Sequence, residues 1–150
     1  MREILLARPS SLIVNDMKKL MNAAGVQATP LQSLADLVNY FESNIAGIVV
    51  STALSSPVKE KYWEVILRVV KQFPKKPIFL ASYASVKSTK VTAAARFSEF
   101  AIERKLVSIE EVDSNFSSEK DILILTQSEI SDPSQFEKIL AIVKRIIASH

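Results

Sequence analysis

The 150-residue sequence contains no cysteine and a single histidine, which is its last residue, His150. The lack of cysteine excludes structural disulfides, thiolate nucleophiles and zinc–thiolate centres. A histidine at the end of the chain is poorly placed to act as a base or a ligand inside a core. The sequence therefore predicts neither a metal centre nor thiol or imidazole catalysis.

Glycine is also scarce, and the two glycines are Gly25 and Gly47. Phosphate-binding loops use several glycines between a strand and the following helix, because the backbone must approach the phosphate closely. Neither glycine lies in a predicted strand-to-helix loop. We therefore expect no nucleotide, flavin or other cofactor.

No apolar run approaches the roughly 20 residues that a bilayer-spanning helix requires. The first residues, MREILLARPSS, enter a strand pattern directly and carry no secretory signature. We expect a cytoplasmic protein with no membrane partner. A chain of this length buries roughly 70% of the surface of its unfolded form, so residues 1–150 are expected to form one domain.

The net charge of +3 hides an asymmetry along the chain. Residues 59–105 carry eleven Lys/Arg against four Glu, whereas residues 106–137 carry one Lys against eight Asp/Glu. These segments are either two solvated faces or complementary patches for a partner or for self-association. Nucleic acid is not an expected partner, because Tyr62 and Trp63 share helical spacing with apolar residues, which favours packing over base stacking.

The most informative stretch is residues 45–50, IAGIVV. This apolar, largely β-branched run is too short for a helix and predicts a strand buried on both faces. A hydroxyl-rich loop begins at Ser51, and Pro57 is suited to the first position of a helix. We therefore predict a third helix over residues 58–73.

Strands and helices alternate in the first half of the chain. Gly25 is predicted to end the first helix, and Pro30 favours an edge position for the second strand. The order βαβαβαβ with short links is typical of a parallel sheet with helices on both faces. The four predicted strands cover residues 3–7, 26–29, 45–50 and 77–81.

A second helix is predicted from apolar residues at helical spacing. Ser33 and Asp36 resemble a capping box at its start, with Asp in place of the usual Glu or Gln. The predicted apolar face consists of Leu34, Leu37, Val38 and Phe41.

The chain after residue 82 is less regular. Residues 89–97 predict a helix, and the fifth strand is either residues 100–103 (FAIE) or residues 121–126 (DILILT). The apolar residues in 106–116 recur with neither helical nor strand periodicity, which predicts an irregular or inserted element. An amphipathic helix is predicted over residues 133–147, with Asp132 as its N-cap.

Residues 2–82 resemble the receiver domain of bacterial two-component response regulators. The resemblance runs through REILLARPSSLIVNDMKKLMNAAGV, SLADLVNYFES, IAGIVVS and PKKPIFLAS, and ILTQSEISDPSQFEKILAIVKRII resembles the last strand and helix of that family. It implies a three-layer, doubly wound, flavodoxin-like α/β fold. It also implies a signalling role.

The active residues of the receiver family do not carry over. The resemblance implies an acidic, Mg²⁺-binding pair where this chain has Ala7 and Arg8, and a phosphoacceptor aspartate where it has Ser51. Ser82 matches the family's Ser or Thr after the fourth strand.

The family's lysine after the fifth strand has two alternative positions in this sequence. It would fall on Gln127 if residues 121–126 are that strand. It would fall near Arg104 or Lys105 if residues 100–103 are.

A cation at Arg8 would stand where the metal is needed, and a serine hydroxyl without an adjacent base is a poor nucleophile. We therefore expect a pseudo-receiver: a non-enzymatic signalling or scaffold domain that acts through protein–protein contact, without aspartyl phosphorylation. The resemblance implies a partner or homodimer surface within residues 87–147. The alternative is a small anion or ligand site formed by Arg8, Ser51 and Ser82 at the carboxyl edge of the sheet.

Overall fold

The computed structural model describes residues 2–11 and 13–149. Six parallel strands form one sheet in the order β2-β1-β3-β4-β6-β5. The strands are β1 Glu3–Arg8, β2 Gln27–Pro30, β3 Ile45–Ser51, β4 Ile78–Ser82, β5 Lys105–Val107 and β6 Asp121–Thr126. The helices are α1 Val14–Ala23, α2 Tyr62–Gln72, α3 Val86–Glu99, α4 Gln127–Ile130 and α5 Phe136–Ala148, with 3₁₀ turns at Leu34–Asn39, Glu42–Asn44 and Pro133–Gln135.

The strand order is that of a flavodoxin-like doubly wound sheet with one strand added at the edge. The first five positions read 2-1-3-4 followed by β6, so Asp121–Thr126 is the strand that pairs with β4. Residues 100–103 instead leave α3 through a turn in which Ala101 has a φ of 55°. The predicted fold class is confirmed, and the alternative fifth strand at residues 100–103 is wrong.

The added strand β5 is only three residues long and pairs with β6 alone. Residues 108–120 connect these two parallel strands through turns. This connection is the irregular segment that the sequence predicts. A three-residue strand carries too little periodicity for sequence reasoning to find.

The sheet separates two apolar layers. On one face β3 contributes Ile45, Ile48 and Val50 to a core with α2 and α3, and on the other it contributes Ala46 and Val49 to a core with α1 and α5. All seven residues of β3 are buried. The prediction of an internal strand buried on both faces is confirmed.

The predicted second helix is instead a 3₁₀ turn over Leu34–Asn39, begun by the predicted Ser33–Asp36 capping box. Residues three apart eclipse each other in a 3₁₀ helix, so Leu34 and Leu37 share a line. Val38 lies off that line and is 67% exposed, and Phe41, which follows the turn in an extended conformation, is 68% exposed. The predicted apolar face is therefore wrong for these two residues.

Helix α2 begins at Tyr62, four residues later than predicted, and Pro57 lies in the loop before it. Val58 is buried in that loop without being helical. The backbone N–H of Lys61 donates to the carboxylate of Glu64 at 3.1 Å, which fixes the start of the helix. The predicted start at residue 58 is wrong, because the apolar Val58 is buried by the loop and not by a helical turn.

The later helices agree more closely with the sequence pattern. Asp132 accepts a hydrogen bond from the N–H of Ser134 and caps the turn that leads into α5, as predicted. Helix α3 extends beyond residues 89–97 in both directions. Within the described part of the chain, no helix has both the length and the apolar character needed to cross a membrane.

Candidate functional site at the carboxyl edge of the sheet

Four neighbouring strands end on buried polar residues. Arg8, Ser51, Ser82 and Thr126 close β1, β3, β4 and β6 and are 6%, 1%, 3% and 4% exposed. Because parallel strands place their carboxyl ends together, these side chains share one edge of the sheet. The register places Ser82 opposite Thr126.

The Arg8 side chain is bonded to the backbone that follows β3. Its Nη1 donates to the carbonyl oxygen of Ser51 at 2.7 Å and also to that of Ala53, and its Nε donates to the carbonyl of Glu60 at 2.9 Å. Burial lowers the pKa of the Arg8 guanidinium, which stays charged because its ordinary pKa is far above neutrality. Three carbonyl dipoles compensate this buried charge, and Arg8 ties the end of β1 to the β3–α2 loop.

The serine hydroxyls take part in local turns. Ser51 Oγ accepts a hydrogen bond from the N–H of Ala53 at 3.0 Å. Ser82 Oγ lies 2.6 Å from Thr89 Oγ1 and accepts from the N–H of Ala84 at 3.1 Å. Within the described residues, neither hydroxyl has a carboxylate or imidazole partner that could act as a base.

Arg8 and Ser82 line two neighbouring cavities. The first, of about 360 Å³, is lined by Arg8 together with Lys59 and Lys61. The second, of about 520 Å³, lies between α2 and α3 and is lined by Ser82 and Arg96. Ser51 instead lines a crevice of about 10 Å³ with Arg8. The structure thus brings Arg8 and Ser51 together and places Ser82 in the adjoining cavity.

The other predicted positions lie elsewhere. Ala7 is fully buried in the apolar core, and Gln127 is the first residue of α4, with a buried Oε1 that has no hydrogen-bond partner. Lys105 is exposed on the edge strand β5 and lines a separate cavity with Glu111 and Asp121. Neither Gln127 nor Lys105 lines the Arg8 or Ser82 cavities.

This arrangement does not fit Mg²⁺. The ion is held largely through carboxylates, whereas the edge presents the guanidinium of Arg8 and the hydroxyls of Ser51 and Ser82. Among the residues that the structure describes, no group of three His, Cys, Asp or Glu side chains could hold a metal ion. No phosphoryl-transfer step can be derived through a metal here.

An aromatic cluster between α2 and α3 was not predicted as part of a site. The rings of Tyr62 and Trp63 meet edge to face at 5.1 Å, and the Arg96 guanidinium lies 4.4 Å from the centre of the Trp63 ring. Burial raises the pKa of the Tyr62 hydroxyl, which also bonds to Thr92. Sequence spacing assigned both rings to the core or to an interface. The contact with Arg96 was not predicted, because its approach from another helix leaves no local signal in the sequence.

The segment after β5 is held to the helices on both sides of the sheet. Glu111 pairs with Lys90 of α3 at 2.5 Å, and Glu110 pairs with Lys138 of α5 at 2.7 Å. The Lys90–Glu111 pair therefore joins the basic residues 59–105 to the acidic residues 106–137 within one chain, whereas Lys138 lies outside both segments. The predicted partner surface, residues 87–147, includes β5. This strand forms one edge of the sheet and pairs with β6.

The fold is similar to two solved receiver structures. A response regulator receiver domain protein from Clostridium thermocellum matches with a TM-score of 0.60 and 12% identity, covering 99% of this chain and 96% of that one. A response regulator receiver protein from Sinorhizobium medicae WSM419 matches with a TM-score of 0.55 and 18% identity, covering 99% and 95%. No family profile and no curated protein matches the sequence. At these identities the similarity shows a receiver-like fold.

Proposed function

We propose that this chain is a receiver-like signalling or scaffold domain that acts through protein–protein contact and accepts no phosphoryl group on an aspartate. The observation that carries the proposal is the position of Arg8. Its guanidinium is bonded to the carbonyls of Ser51, Ala53 and Glu60, at the edge where a receiver would need carboxylates and Mg²⁺.

The chemistry of phosphoryl transfer supports this proposal. The reaction depends on positioning the donor and on neutralising its developing charge with a metal. Arg8 supplies positive charge, but its donors are engaged by backbone carbonyls, and Ser51 has no neighbouring base. A receiver-like fold without these reactive groups can still act by contacting other proteins through its surface. The proposal is therefore a non-enzymatic role.

Incubation with acetyl phosphate and Mg²⁺, followed by intact-mass spectrometry, tests the proposal. The expected result is an unchanged mass under conditions in which a competent receiver gains one phosphoryl group. A stable phosphoryl adduct on any residue of the unmodified protein would overturn the proposal, and an adduct on Ser51 would point to a serine switch.

Anion binding is the second candidate function. The cavity of about 360 Å³ beside Arg8 is lined by Lys59 and Lys61 as well, which gives it three cationic side chains. A rise in melting temperature with inorganic phosphate, lost in Lys59→Gln/Lys61→Gln, would favour this function. No change with phosphate at millimolar concentration would rule it out.

A further inference from the structure

The groove between α2 and α3 is the most distinctive surface feature outside the Arg8 contacts. Its cavity of about 520 Å³ has the size of a typical ligand site. It is lined by hydroxyl-bearing side chains, by the Tyr62 and Trp63 rings and by Arg96. Among the described residues that line it, Arg96 is the only charged one.

We infer that this α2–α3 groove is the docking site for an acidic segment of a partner protein. The inference rests on the proposed function, because it gives the protein–protein contact a place and a partner chemistry. Trp, Tyr and Arg are the residue types that most often dominate the binding energy of interfaces.

Arg96 is oriented to receive a carboxylate. The Trp63 ring supports the guanidinium from one side, so its planar fork is held in place before a partner arrives. Its present partner, Glu99, lies three residues away on the same helix, and a single contact of 3.1 Å joins the two exposed side chains. An exposed pair of this kind contributes little stability, and a partner carboxylate can replace Glu99 or share the guanidinium with it.

The charge around the groove favours an acidic partner. The neighbouring cavity shares Thr52, Tyr62 and Trp63 with the groove and adds Lys59 and Lys61. Both helices belong to residues 59–105, in which eleven Lys/Arg oppose four Glu. This complementarity would steer a negatively charged segment to the two cavities.

The geometry favours a protein segment over a nucleic acid. Single-stranded nucleic acids bind by stacking bases on exposed aromatic faces. Here Arg96 covers one face of Trp63 and Tyr62 meets the ring edge to face, so the cluster offers a poor stacking platform. Thr52, Ser88 and Thr92 add hydroxyls suited to peptide carbonyls and amides.

Helix α3 supplies a matched pair of variants for the test. Ala94 and Ala95 are adjacent and exposed, but only Ala95 lines the groove. Ala95→Glu places a carboxylate beside Arg96, whereas Ala94→Glu makes the same chemical change outside the groove. Helical circular dichroism would verify that both variants fold.

The experiment selects random peptides displayed against the full chain and measures the enriched peptides by the fluorescence of Trp63, the only tryptophan. We expect the enriched peptides to be net negative. We also expect Ala95→Glu and Arg96→Gln to weaken their binding at least about tenfold, and Ala94→Glu to change it less than about twofold.

Several results would overturn the inference: no enrichment, enrichment of neutral or basic peptides, or unchanged binding to Ala95→Glu. Displacement of the peptide by an equal concentration of single-stranded DNA would also overturn it and identify a nucleic-acid site. If acidic peptides bind Ala95→Glu as tightly as the wild type, the α2–α3 groove is not their docking site, but the proposed protein–protein role is not contradicted. A phosphoryl adduct detected by intact-mass spectrometry would instead contradict the proposed function itself.

Discussion

The guanidinium of Arg8 donates a hydrogen bond of 2.7 Å to the carbonyl oxygen of Ser51, which joins the ends of the adjacent strands β1 and β3. Two further bonds, to the carbonyls of Ala53 and Glu60, extend this connection to the loop before α2. A single buried cation thereby connects the carboxyl ends of these strands to the following loop.

The first prediction concerns the structural role of Arg8. Arg8→Met keeps an unbranched apolar stem but removes the guanidinium that donates to three carbonyl oxygens, and we expect it to lower the free energy of unfolding by about 3 kcal/mol. Arg8→Lys should lose less stability, because its ammonium group can still donate to some of these carbonyl oxygens. Urea denaturation measures both variants.

Arg145→Met is the matched control for Arg8→Met. Arg145 is exposed on α5, with one long contact of 3.5 Å to the carbonyl of Asp113, so its replacement should change stability by less than about 0.5 kcal/mol. Equal losses in Arg8→Met and Arg145→Met would contradict the role assigned to Arg8.

The second prediction concerns Ser51→Asp. Ser51 and Arg8 line the same crevice, so the new carboxylate should pair with the guanidinium and not hold a metal. At an effective dielectric constant near 20 this attraction is about 4 kcal/mol at about 4 Å, before desolvation costs. Intact-mass spectrometry with acetyl phosphate and Mg²⁺ should detect no adduct.

Phosphoryl uptake should require Ala7→Asp and Arg8→Asp together with Ser51→Asp. Because Ala7 is fully buried in the apolar core, the triple variant should also lose stability. Calorimetric titration with Mg²⁺ and a melting curve measure these two effects. Phosphorylation of the single variant Ser51→Asp would show that Arg8 does not block the site.

The third prediction concerns acid stability. Contacts with Lys90 and Ser108 lower the pKa of Glu111 from 4.5 to about 2 in the folded chain. A depressed pKa in the folded state stabilises the protein above pH 4.5, and that contribution is lost as the pH falls toward 2. Since the pair is exposed, we expect a contribution below about 1 kcal/mol.

Urea midpoints measured from pH 7 to pH 2 test this contribution. Wild type should lose more stability below pH 5 than Glu111→Gln. Lys90→Gln should lose nearly as little as Glu111→Gln, because Lys90 makes the largest contribution to the lowered pKa of Glu111. Parallel pH curves for wild type and Glu111→Gln would refute the assignment.

The fourth prediction compares the two glycines. A Cβ at Gly47 would lie 2.9 Å from the carbonyl oxygen of Pro77, where the β3 and β4 backbones meet, so Gly47→Ala should cost about 2 kcal/mol. A Cβ at Gly25 meets nothing within 4 Å, but its φ of 86° strains an alanine by about 1 kcal/mol. Thermal or urea unfolding should rank the variants in this order, and the reverse order would contradict it.

The fifth prediction concerns association. The opposite charges of residues 59–105 and 106–137 predict a contact through the C-terminal third that weakens with salt, because exposed charges are screened over about 8–10 Å near physiological ionic strength. Sedimentation velocity at low and high salt, alone and with a candidate partner, measures it. Absence of association at every salt concentration would mean that the charge asymmetry serves the solvated surface and the internal pair Lys90–Glu111.

Local signals in the sequence were sufficient for much of the fold. The β-branched run at residues 45–50 predicted an internal strand because it is too short for a helix and its unbroken apolar character is typical of a strand covered on both faces. Gly25, the Ser33–Asp36 capping box and Asp132 marked turns and helix starts, since each acts through backbone groups within a few residues. The alternation of these elements then selected the parallel doubly wound sheet.

The candidate site depended on contacts between residues far apart in the sequence. Sequence reasoning placed Arg8 and Ser51 at the same edge, but not the bonds from Arg8 to the loop carbonyls or the stacking of Arg96 on Trp63. The exposure of Phe41 and the late start of α2 were also missed, because the loop and the 3₁₀ turn fill the core where helices were predicted. Local patterns determined which elements form, whereas only tertiary packing decided which side chains meet, because non-local contacts compete for the same buried volume and leave no periodic trace in the sequence.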